Sequence, residues 1–246
     1  MRDAPRGAAA RGSAALEAAI FDLDGTLVDS EPLYAASDAA FLAGLGIGPD
    51  SLAEGEFVGL GTLAFLSIVA ERFPDSPLAA LPPAERARLK DEAYLKFSAG
   101  RLRPFPSVLA LVARLAERGL ALALASGSSP SVIAAELEAV GLDRTFAVTL
   151  SSSEVARGKP EPDIFLEAAR RLGVPPSRCL VVEDSRYGVA AAKKAGMRCL
   201  ALPSVAARLQ SEFALADLVS PGGAADFDLA GMLAGLERIG LPRPGA

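Results

Sequence analysis

Short apolar runs recur along the chain, and each of them ends abruptly in small polar or acidic residues. The first run covers 18–21 and is followed at once by Asp22-Leu23-Asp24-Gly25-Thr26. Its length and uniform apolar character are typical of a strand that is buried on both faces of a parallel sheet. Further runs are found at 120–125, 146–150, 179–182, 198–202 and 218–219, of which the last two are expected to be edge strands. Amphipathic stretches of about ten residues separate the later runs, so the pattern predicts βαβ units.

The stretch between 29 and 100 follows a different pattern, because it contains no strand-like run. Helices are predicted over 30–45, 60–73 and 84–98. Ser30 is expected to cap the first of these helices with its hydroxyl group. The third is expected to carry its apolar face on Leu89, Ala93 and Phe97. We therefore predict an all-helical insertion after the first strand.

Together these patterns predict an α/β fold, in which a doubly wound parallel Rossmann-like sheet contains an inserted all-helical domain. The predicted core domain consists of 16–30 and 104–246, and the predicted helical domain of 31–103. Residues 1–15 include a Gly/Ala/Arg-rich segment and are predicted to form a disordered tail.

Composition excludes several classes of function. With 25 basic and 30 acidic residues the net charge is −5, so no electrostatic footprint for nucleic acid is visible. No apolar run is long enough to span a membrane. The absence of histidine rules out His-dependent triads and HExxH zinc sites.

Cys179 and Cys199 lie in apolar strand-like runs and are expected to be free buried thiols of a cytoplasmic protein. An Arg-rich transit peptide stays open as an alternative for the tail, and a monomer is the default expectation.

Polar side chains follow four of the predicted strands. Asp22 and Asp24 follow the first, Ser126 the second, Lys159 a short third, and Glu183-Asp184 the fourth. In a doubly wound sheet these ends meet in one crevice, where ligands bind. Two close carboxylates repel each other unless a cation relieves them, and Mg²⁺ prefers oxygen ligands. This set of groups suits a phosphoryl group bridged to Mg²⁺, with one carboxylate free to attack phosphorus.

Each of these residues also has a purely structural explanation. Ser126 could cap the following helix, Lys159 could be an exposed turn cation, and Glu183-Asp184 could form the first turn of a helix. The combination of all of them at corresponding strand ends is what indicates a site.

In their order and spacing, these residues resemble the four motifs of the haloacid dehalogenase superfamily. The matching segments are Asp22-x-Asp24-Gly25-Thr26, Ser126, Lys159-Pro-x-Pro-Asp163 and Glu183-Asp184-Ser185-x-x-Gly188. The helical insertion resembles the cap of that superfamily, and within it the chain resembles the β-phosphoglucomutase-like branch.

This resemblance implies a role for each residue of the motifs. Asp22 would be the nucleophile that forms an aspartyl-phosphate, and Asp24 the general acid and base. A second aspartate of this kind disfavours dehalogenation. The phosphoryl oxygens would be held by Thr26, Ser126, Gly127 and Lys159. The implied Mg²⁺ ligands are Asp22, Asp24 through its backbone carbonyl, and Asp184, with Glu183 as a further ligand or a supporting carboxylate.

The helical insertion bears on the choice between phosphatase and mutase. Thr62 stands where the mutases carry a phosphate-gripping arginine, and Tyr34 where they carry a histidine. Lys90 matches a cap lysine, although a solvated position on a helix face is an equal alternative. We therefore predict a Mg²⁺-dependent phosphatase of a small phosphorylated metabolite, a phosphate monoester such as a sugar phosphate. A phosphosugar mutase and a non-catalytic sugar-phosphate sensor are the alternatives.

Overall fold

The computed structural model describes residues 14–48, 62–204 and 210–244. The strands are β1 Ala18–Phe21, β2 Ala121–Ser126, β3 Val148–Ser151, β4 Cys179–Glu183, β5 Arg198–Ala201 and β6 Leu218–Val219. The α-helices are α1 Glu31–Gly44, α2 Thr62–Arg72, α3 Pro83–Ser98, α4 Pro106–Glu117, α5 Pro130–Ala139, α6 Asp163–Leu172, α7 Arg186–Lys194 and α8 Leu229–Arg238. Strands and helices alternate after residue 104, as the sequence predicts.

The six strands form one parallel sheet in the order β3-β2-β1-β4-β5-β6. Strand β1 is buried on both faces. Ala19 and Phe21 belong to an apolar cluster with α4 and α8 on one side, and Ala18 and Ile20 to a cluster with α6 and α7 on the other. The predicted doubly wound α/β fold is therefore confirmed. Because β2 and β4 flank β1 on opposite sides, the winding of the sheet reverses at β1, which places a crevice at its carboxyl end.

Two details of the sheet region differ from the prediction. Strand β5 is an interior strand, because β6 pairs with it in the register Leu200↔Leu218. A segment of only two residues was enough to cover that edge. Helix α8 was not predicted, although Asp228 precedes it and accepts a hydrogen bond from the Gly231 amide at 3.0 Å, which is a recognisable N-terminal cap.

In the described part of 31–103, α1, α2 and α3 are helical and no strand occurs, in agreement with the sequence pattern. These helices enclose an apolar cluster of their own. It consists of Leu42, Ile47, Phe65, Leu66, Val69 and Leu78. The two chain segments that connect this region to the sheet are joined by two backbone hydrogen bonds. The Asp29 amide donates to the Arg103 carbonyl at 2.8 Å, and the Phe105 amide donates to the Leu27 carbonyl at 2.9 Å. That 31–103 is a separate cap domain stays a proposal.

The buried face of α3 is not the predicted one. Lys90, Tyr94 and Ser98 are the buried residues of this helix, whereas Leu89, Ala93 and Phe97 are half-buried. Polar side chains occupy the inner face because each finds a partner there, as described below for Lys90 and Tyr94. Periodicity of apolar residues could not reveal this, since the partners belong to other helices.

Several predictions fall outside the described residues: most of the N-terminal tail, the start of the second predicted helix and the loop that precedes Thr62. Among the helices that the structure describes, none is long and apolar enough to cross a membrane.

Candidate active site

Asp22 lies immediately after β1, at the centre of the crevice. Its amide donates to the Val182 carbonyl at 3.0 Å, which fixes the residue between β1 and β4. The side chain is buried, and the ammonium of Lys159 lies 2.5 Å from its Oδ1. Lys159 also donates to the Ala125 carbonyl at 3.2 Å and to Glu183. Because only 9% of the Lys159 side chain is exposed, the alternative of an exposed turn cation is wrong.

Glu183 is the last residue of β4 and is fully buried. Its Oε1 accepts from Lys159, and its Oε2 accepts from the amide and the hydroxyl of Ser185, both at 2.9 Å. A Cβ on Gly188 would lie 1.8 Å from Glu183 Oε1, so only glycine fits there. Helix α7 begins after Glu183 and Asp184, and Ser185 caps it by accepting from the Gly188 amide at 3.0 Å. The two acids therefore precede this helix and do not form its first turn.

Asp184 approaches the loop that follows β1. Its Oδ1 accepts from the Thr26 hydroxyl at 3.3 Å. Gly25 has φ +72°, and a Cβ there would lie 2.3 Å from Asp184 Oδ2. Both the backbone conformation and the close contact therefore require glycine. Burial, and then the charges of Glu183 and Asp22, raise the pKa of Asp184 well above its usual range.

Asp24 accepts hydrogen bonds from three serine hydroxyls. Ser30 donates to Oδ1 at 2.6 Å, and Ser128 and Ser126 donate to Oδ2 at 2.7 and 3.4 Å. The prediction that Ser30 caps α1 through its hydroxyl is wrong, since the side chain makes no such bond and turns to Asp24 instead. A hydrogen bond from a hydroxyl to a charged carboxylate is stronger than a hydrogen bond between two neutral groups.

The residues after β2 form a loop that is tied to its neighbours. Ser126 is fully buried, and its hydroxyl oxygen accepts from the Ser128 amide at 3.0 Å. Ser129 caps α5, by accepting from the Val132 amide at 3.4 Å, so Ser126 does not have the capping role considered as an alternative. The Gly127 carbonyl accepts from the Ser152 hydroxyl at 2.9 Å. Ser128 was missed by sequence reasoning, although its place two residues after Ser126 was a usable signal.

The structure brings two of the three residues singled out in the insertion close to this group. The hydroxyls of Tyr34 and Ser128 are 2.9 Å apart. Lys90 lies 2.9 Å from Asp38 and 4.9 Å from the centre of the Tyr34 ring, and 5% of its side chain is exposed, so it is not a solvated lysine. Thr62 begins α2 and makes no hydrogen bond to the strand-end residues that the structure describes.

A second tyrosine and a buried carboxyl complete these contacts, and sequence reasoning missed both. The rings of Tyr34 and Tyr94 are stacked, with centroids 3.9 Å apart and planes at 7°. The Tyr94 hydroxyl donates to Glu136 Oε1. Burial, and then the charge of Asp24, raise the pKa of Glu136 to about 9.

Asp22, Glu183 and Asp184 could hold a metal ion, because each offers an oxygen within 4.8 Å of the others. Burial raises the pKa of Asp22 to about 8 in spite of the opposing charge of Lys159, with further contributions from Glu183 and Asp24. A divalent cation would relieve this repulsion, and an all-oxygen set suits Mg²⁺. The residues therefore fit the metal that the motifs imply. Both oxygens of Glu183 already accept hydrogen bonds from protein groups, Oε1 from Lys159 and Oε2 from Ser185.

A parallel sheet with this winding and this group of strand-end residues defines a class of protein. The family model described as haloacid dehalogenase-like hydrolase matches residues 16–196. The chain belongs to this family, as the motifs of the sequence predict.

Several individual relatives match this chain over most of their length. Hexitol phosphatase B of Escherichia coli (strain K12) is 32% identical over 209 residues, which cover 82% of this chain and 90% of that protein. Protein CbbY of Cereibacter sphaeroides is 35% identical over 225 residues, covering 87% and 97%. The crystal structure of CbbY from Rhodobacter sphaeroides in complex with phosphate matches with a TM-score of 0.76 at 32% identity, over 90% of this chain and 99% of that one. Two longer Arabidopsis thaliana proteins also match, at 37% and 34% identity, but the chain spans only 18% and 48% of their lengths.

Proposed function

We propose that the chain is a Mg²⁺-dependent phosphatase that hydrolyses a small phosphate monoester, a sugar phosphate, through an aspartyl-phosphate at Asp22. One observation carries this proposal: buried Asp22 lies at the end of the central strand beside Lys159, and Asp24 two residues later is held by three serine hydroxyls. A nucleophile and a separately oriented carboxyl group are what a two-step hydrolysis needs.

The first step forms a bond between an oxygen of Asp22 and phosphorus and breaks the ester P–O bond. The leaving alkoxide takes the proton of the Asp24 carboxyl group. In the second step Asp24 removes a proton from water, the water oxygen bonds to phosphorus, and the bond between phosphorus and Asp22 breaks. Inorganic phosphate is released, and both aspartates return to their starting forms.

Asp22, Asp184 and the backbone carbonyl of Asp24 are the proposed ligands of Mg²⁺. Glu183 is the proposed supporting carboxylate, because its two oxygens accept from Lys159 and Ser185. When bound, the metal neutralises the charge of the phosphoryl oxygens and the carboxylates. Lys159 supplies a further positive charge next to Asp22, and it keeps Asp22 aligned between β1 and β4.

The phosphoryl oxygens are proposed to bind to Lys159, to the hydroxyls of Thr26 and Ser126, and to the chain at Gly127. Ser126 is the last residue of β2, which pairs with β1, and Gly127 follows it, so both lie at the same end of the sheet as Asp22. The CbbY crystal structure that holds phosphate supports such a site in a relative of the same fold.

The contacts of Lys90 favour hydrolysis over the mutase alternative. A mutase has to hold a second phosphate group of its substrate, which needs free cations. Here Lys90 is paired with Asp38, and no lysine or arginine occurs between residues 31 and 71. The first part of the insertion, residues 31–71, therefore offers no cation for a distal phosphate, which favours water as the acceptor of the phosphoryl group. Tyr34 and Thr62 are the other proposed determinants of specificity.

The decisive experiment measures phosphate release with Mg²⁺ from a panel of hexose, pentose and polyol phosphates, phosphoglycolate and nucleotides. We expect turnover of at least one sugar phosphate, no turnover in Asp22→Asn, and unchanged turnover in Asp226→Asn, which alters an exposed aspartate after β6. Full activity in Asp22→Asn would rule out the covalent route.

A parallel reaction contains β-glucose 1-phosphate and glucose 1,6-bisphosphate and is followed by NMR. Formation of glucose 6-phosphate without free phosphate would identify a mutase. Tight binding of Mg²⁺ and sugar phosphate without any turnover would identify a sensor. That the protein is monomeric and cytoplasmic stays a prediction. Size-exclusion chromatography with light scattering tests whether it is a monomer.

A further inference from the structure

Glu136 is a buried carboxyl group that the proposed chemistry does not use. It lies on the inner face of α5, is 2% exposed, and accepts a hydrogen bond from the Tyr94 hydroxyl of α3. A carboxyl group is rarely buried without a compensating role, because its desolvation is costly. This bond joins the helical insertion to the sheet domain across 42 residues of sequence.

The side chain of Glu136 lies beside that of Asp24, and a continuous set of contacts also leads from one residue to the other. The ring of Tyr94 is stacked on that of Tyr34 at 3.9 Å. The Tyr34 hydroxyl lies 2.9 Å from that of Ser128, which donates to Asp24 Oδ2 at 2.7 Å. The two stacked tyrosines therefore both contact the sheet domain through their hydroxyls, Tyr34 at Ser128 and Tyr94 at Glu136.

Each contact in this set restricts the next one. The hydrogen bond to Glu136 fixes the rotation and depth of the Tyr94 ring, and a nearly parallel stack transmits that position to Tyr34. Tyr34 in turn limits the directions in which the Ser128 hydroxyl can point. While the Ser128 hydroxyl donates to Asp24 Oδ2, it holds the whole carboxyl group in one orientation. The other oxygen, Oδ1, which accepts from Ser30, is thereby also kept in place.

On the basis of the proposed function, we propose that Glu136 is a positioning residue, which orients the carboxyl group of Asp24 both directly and through Tyr94, Tyr34 and Ser128. Loss of this orientation is expected to slow proton transfer, because Asp24 protonates the leaving oxygen. Displacement of a reacting group by about 1 Å can slow such a step by about 100-fold.

The test compares two esters that differ in their need for an acid. A sugar phosphate has an alkoxide leaving group and needs the proton of Asp24, whereas p-nitrophenyl phosphate has a stable leaving group and does not. The ratio kcat/KM reports the step in which the ester bond breaks. The variants are Tyr94→Phe, Glu136→Ala and Glu136→Gln, whose amide oxygen can still accept from Tyr94. Tyr187→Phe is the matched control, because that phenol pairs with Arg186 and has no part in this set of contacts.

In Tyr94→Phe and Glu136→Ala we expect kcat/KM for the sugar phosphate to fall about tenfold, with that for p-nitrophenyl phosphate changed by less than about twofold. Glu136→Gln and Tyr187→Phe are expected to match the wild type on both esters. An equal loss on both esters would assign Glu136 a general structural role and overturn the proposal, and so would no loss on either.

A second measurement does not depend on turnover. The Ser128 amide donates to Ser126 Oγ at 3.0 Å, and its hydrogen exchange reports the order of this loop. We expect exchange to be at least about threefold faster in Tyr94→Phe and Glu136→Ala than in the wild type and Glu136→Gln. If the wild type hydrolysed neither ester, the proposed function would fail, and unchanged exchange at Ser128 would separately overturn the positioning role.

Discussion

The carboxylate of Asp38 on α1 lies 2.9 Å from the ammonium of Lys90 on α3, and 5% of the lysine side chain is exposed. Breaking a buried pair from one side leaves the other charge unsatisfied. Asp38 itself is partly exposed, which reduces the penalty. We therefore expect Asp38→Asn to lower the free energy of unfolding by about 1–3 kcal/mol, measured by urea denaturation at pH 7.

Asp143→Asn is the control, because Asp143 pairs with Arg144 at 3.5 Å on the exposed surface and should cost less than about 0.5 kcal/mol. Adding Lys90→Met to Asp38→Asn removes the unpaired charge and should recover part of the loss. Equal small effects of both single variants would contradict a stabilising role of the buried pair.

Gly25 is expected to be irreplaceable at the site, because a Cβ would lie 2.3 Å from Asp184 Oδ2. Gly25→Ala should displace Asp184 or the loop, raise the Mg²⁺ concentration needed for activity, and lower turnover by at least about tenfold. Gly141→Ala is a matched control, since Gly141 has the same φ of +72° and nothing lies within 4 Å of the position that a Cβ would take. It should lose about 1 kcal/mol of stability through backbone strain and keep its activity. Similar activity losses in both variants would contradict the clash.

Binding of Mg²⁺ should stabilise the protein, because a cation relieves the repulsion among Asp22, Glu183 and Asp184. At a concentration of about 100 times Kd the gain is about 2.7 kcal/mol, which is visible as a rise in Tm when Mg²⁺ replaces EDTA. Asp184→Asn should lose most of this rise. An unchanged rise in that variant would place the metal elsewhere.

Both cysteines should be unreactive in the native protein at pH 8. Burial, with a further contribution from Glu17, raises the pKa of the Cys179 thiol to about 11, and burial also raises that of Cys199. The thiolate is the reactive form and becomes abundant only as the pH approaches the pKa. Alkylation by iodoacetamide at pH 8 should therefore be at least about tenfold slower in the native chain than in denaturant, where the pKa returns to about 8.5.

Measuring Cys199→Ala and Cys179→Ala separately assigns the rate to each thiol, and a native rate that equals the denatured rate would show that the strands open readily.

The sequence by itself determined the sheet domain and its crevice. Apolar runs such as Ala18–Phe21 can only be satisfied between two layers, so they specify buried parallel strands, and the polar residues at their ends necessarily meet. For this reason Asp22, Lys159 and Asp184 can be grouped from the sequence alone. The motifs also identified the family. Helix α8 was missed although its cap could be read from Asp228.

Only the tertiary structure decided which polar side chains pair across the helical insertion. Ser128 is 104 residues from Asp24, and Tyr94 is 42 residues from Glu136, so no local pattern links them. Lys90 and Tyr94 lie on the buried face of α3, which is not the face that the apolar periodicity predicted. They are buried because Asp38 and Glu136 on other helices satisfy them. Apolar burial is not directional and can be inferred from periodicity, whereas hydrogen bonds and ion pairs depend on the placement of two specific groups, which only the packed chain provides.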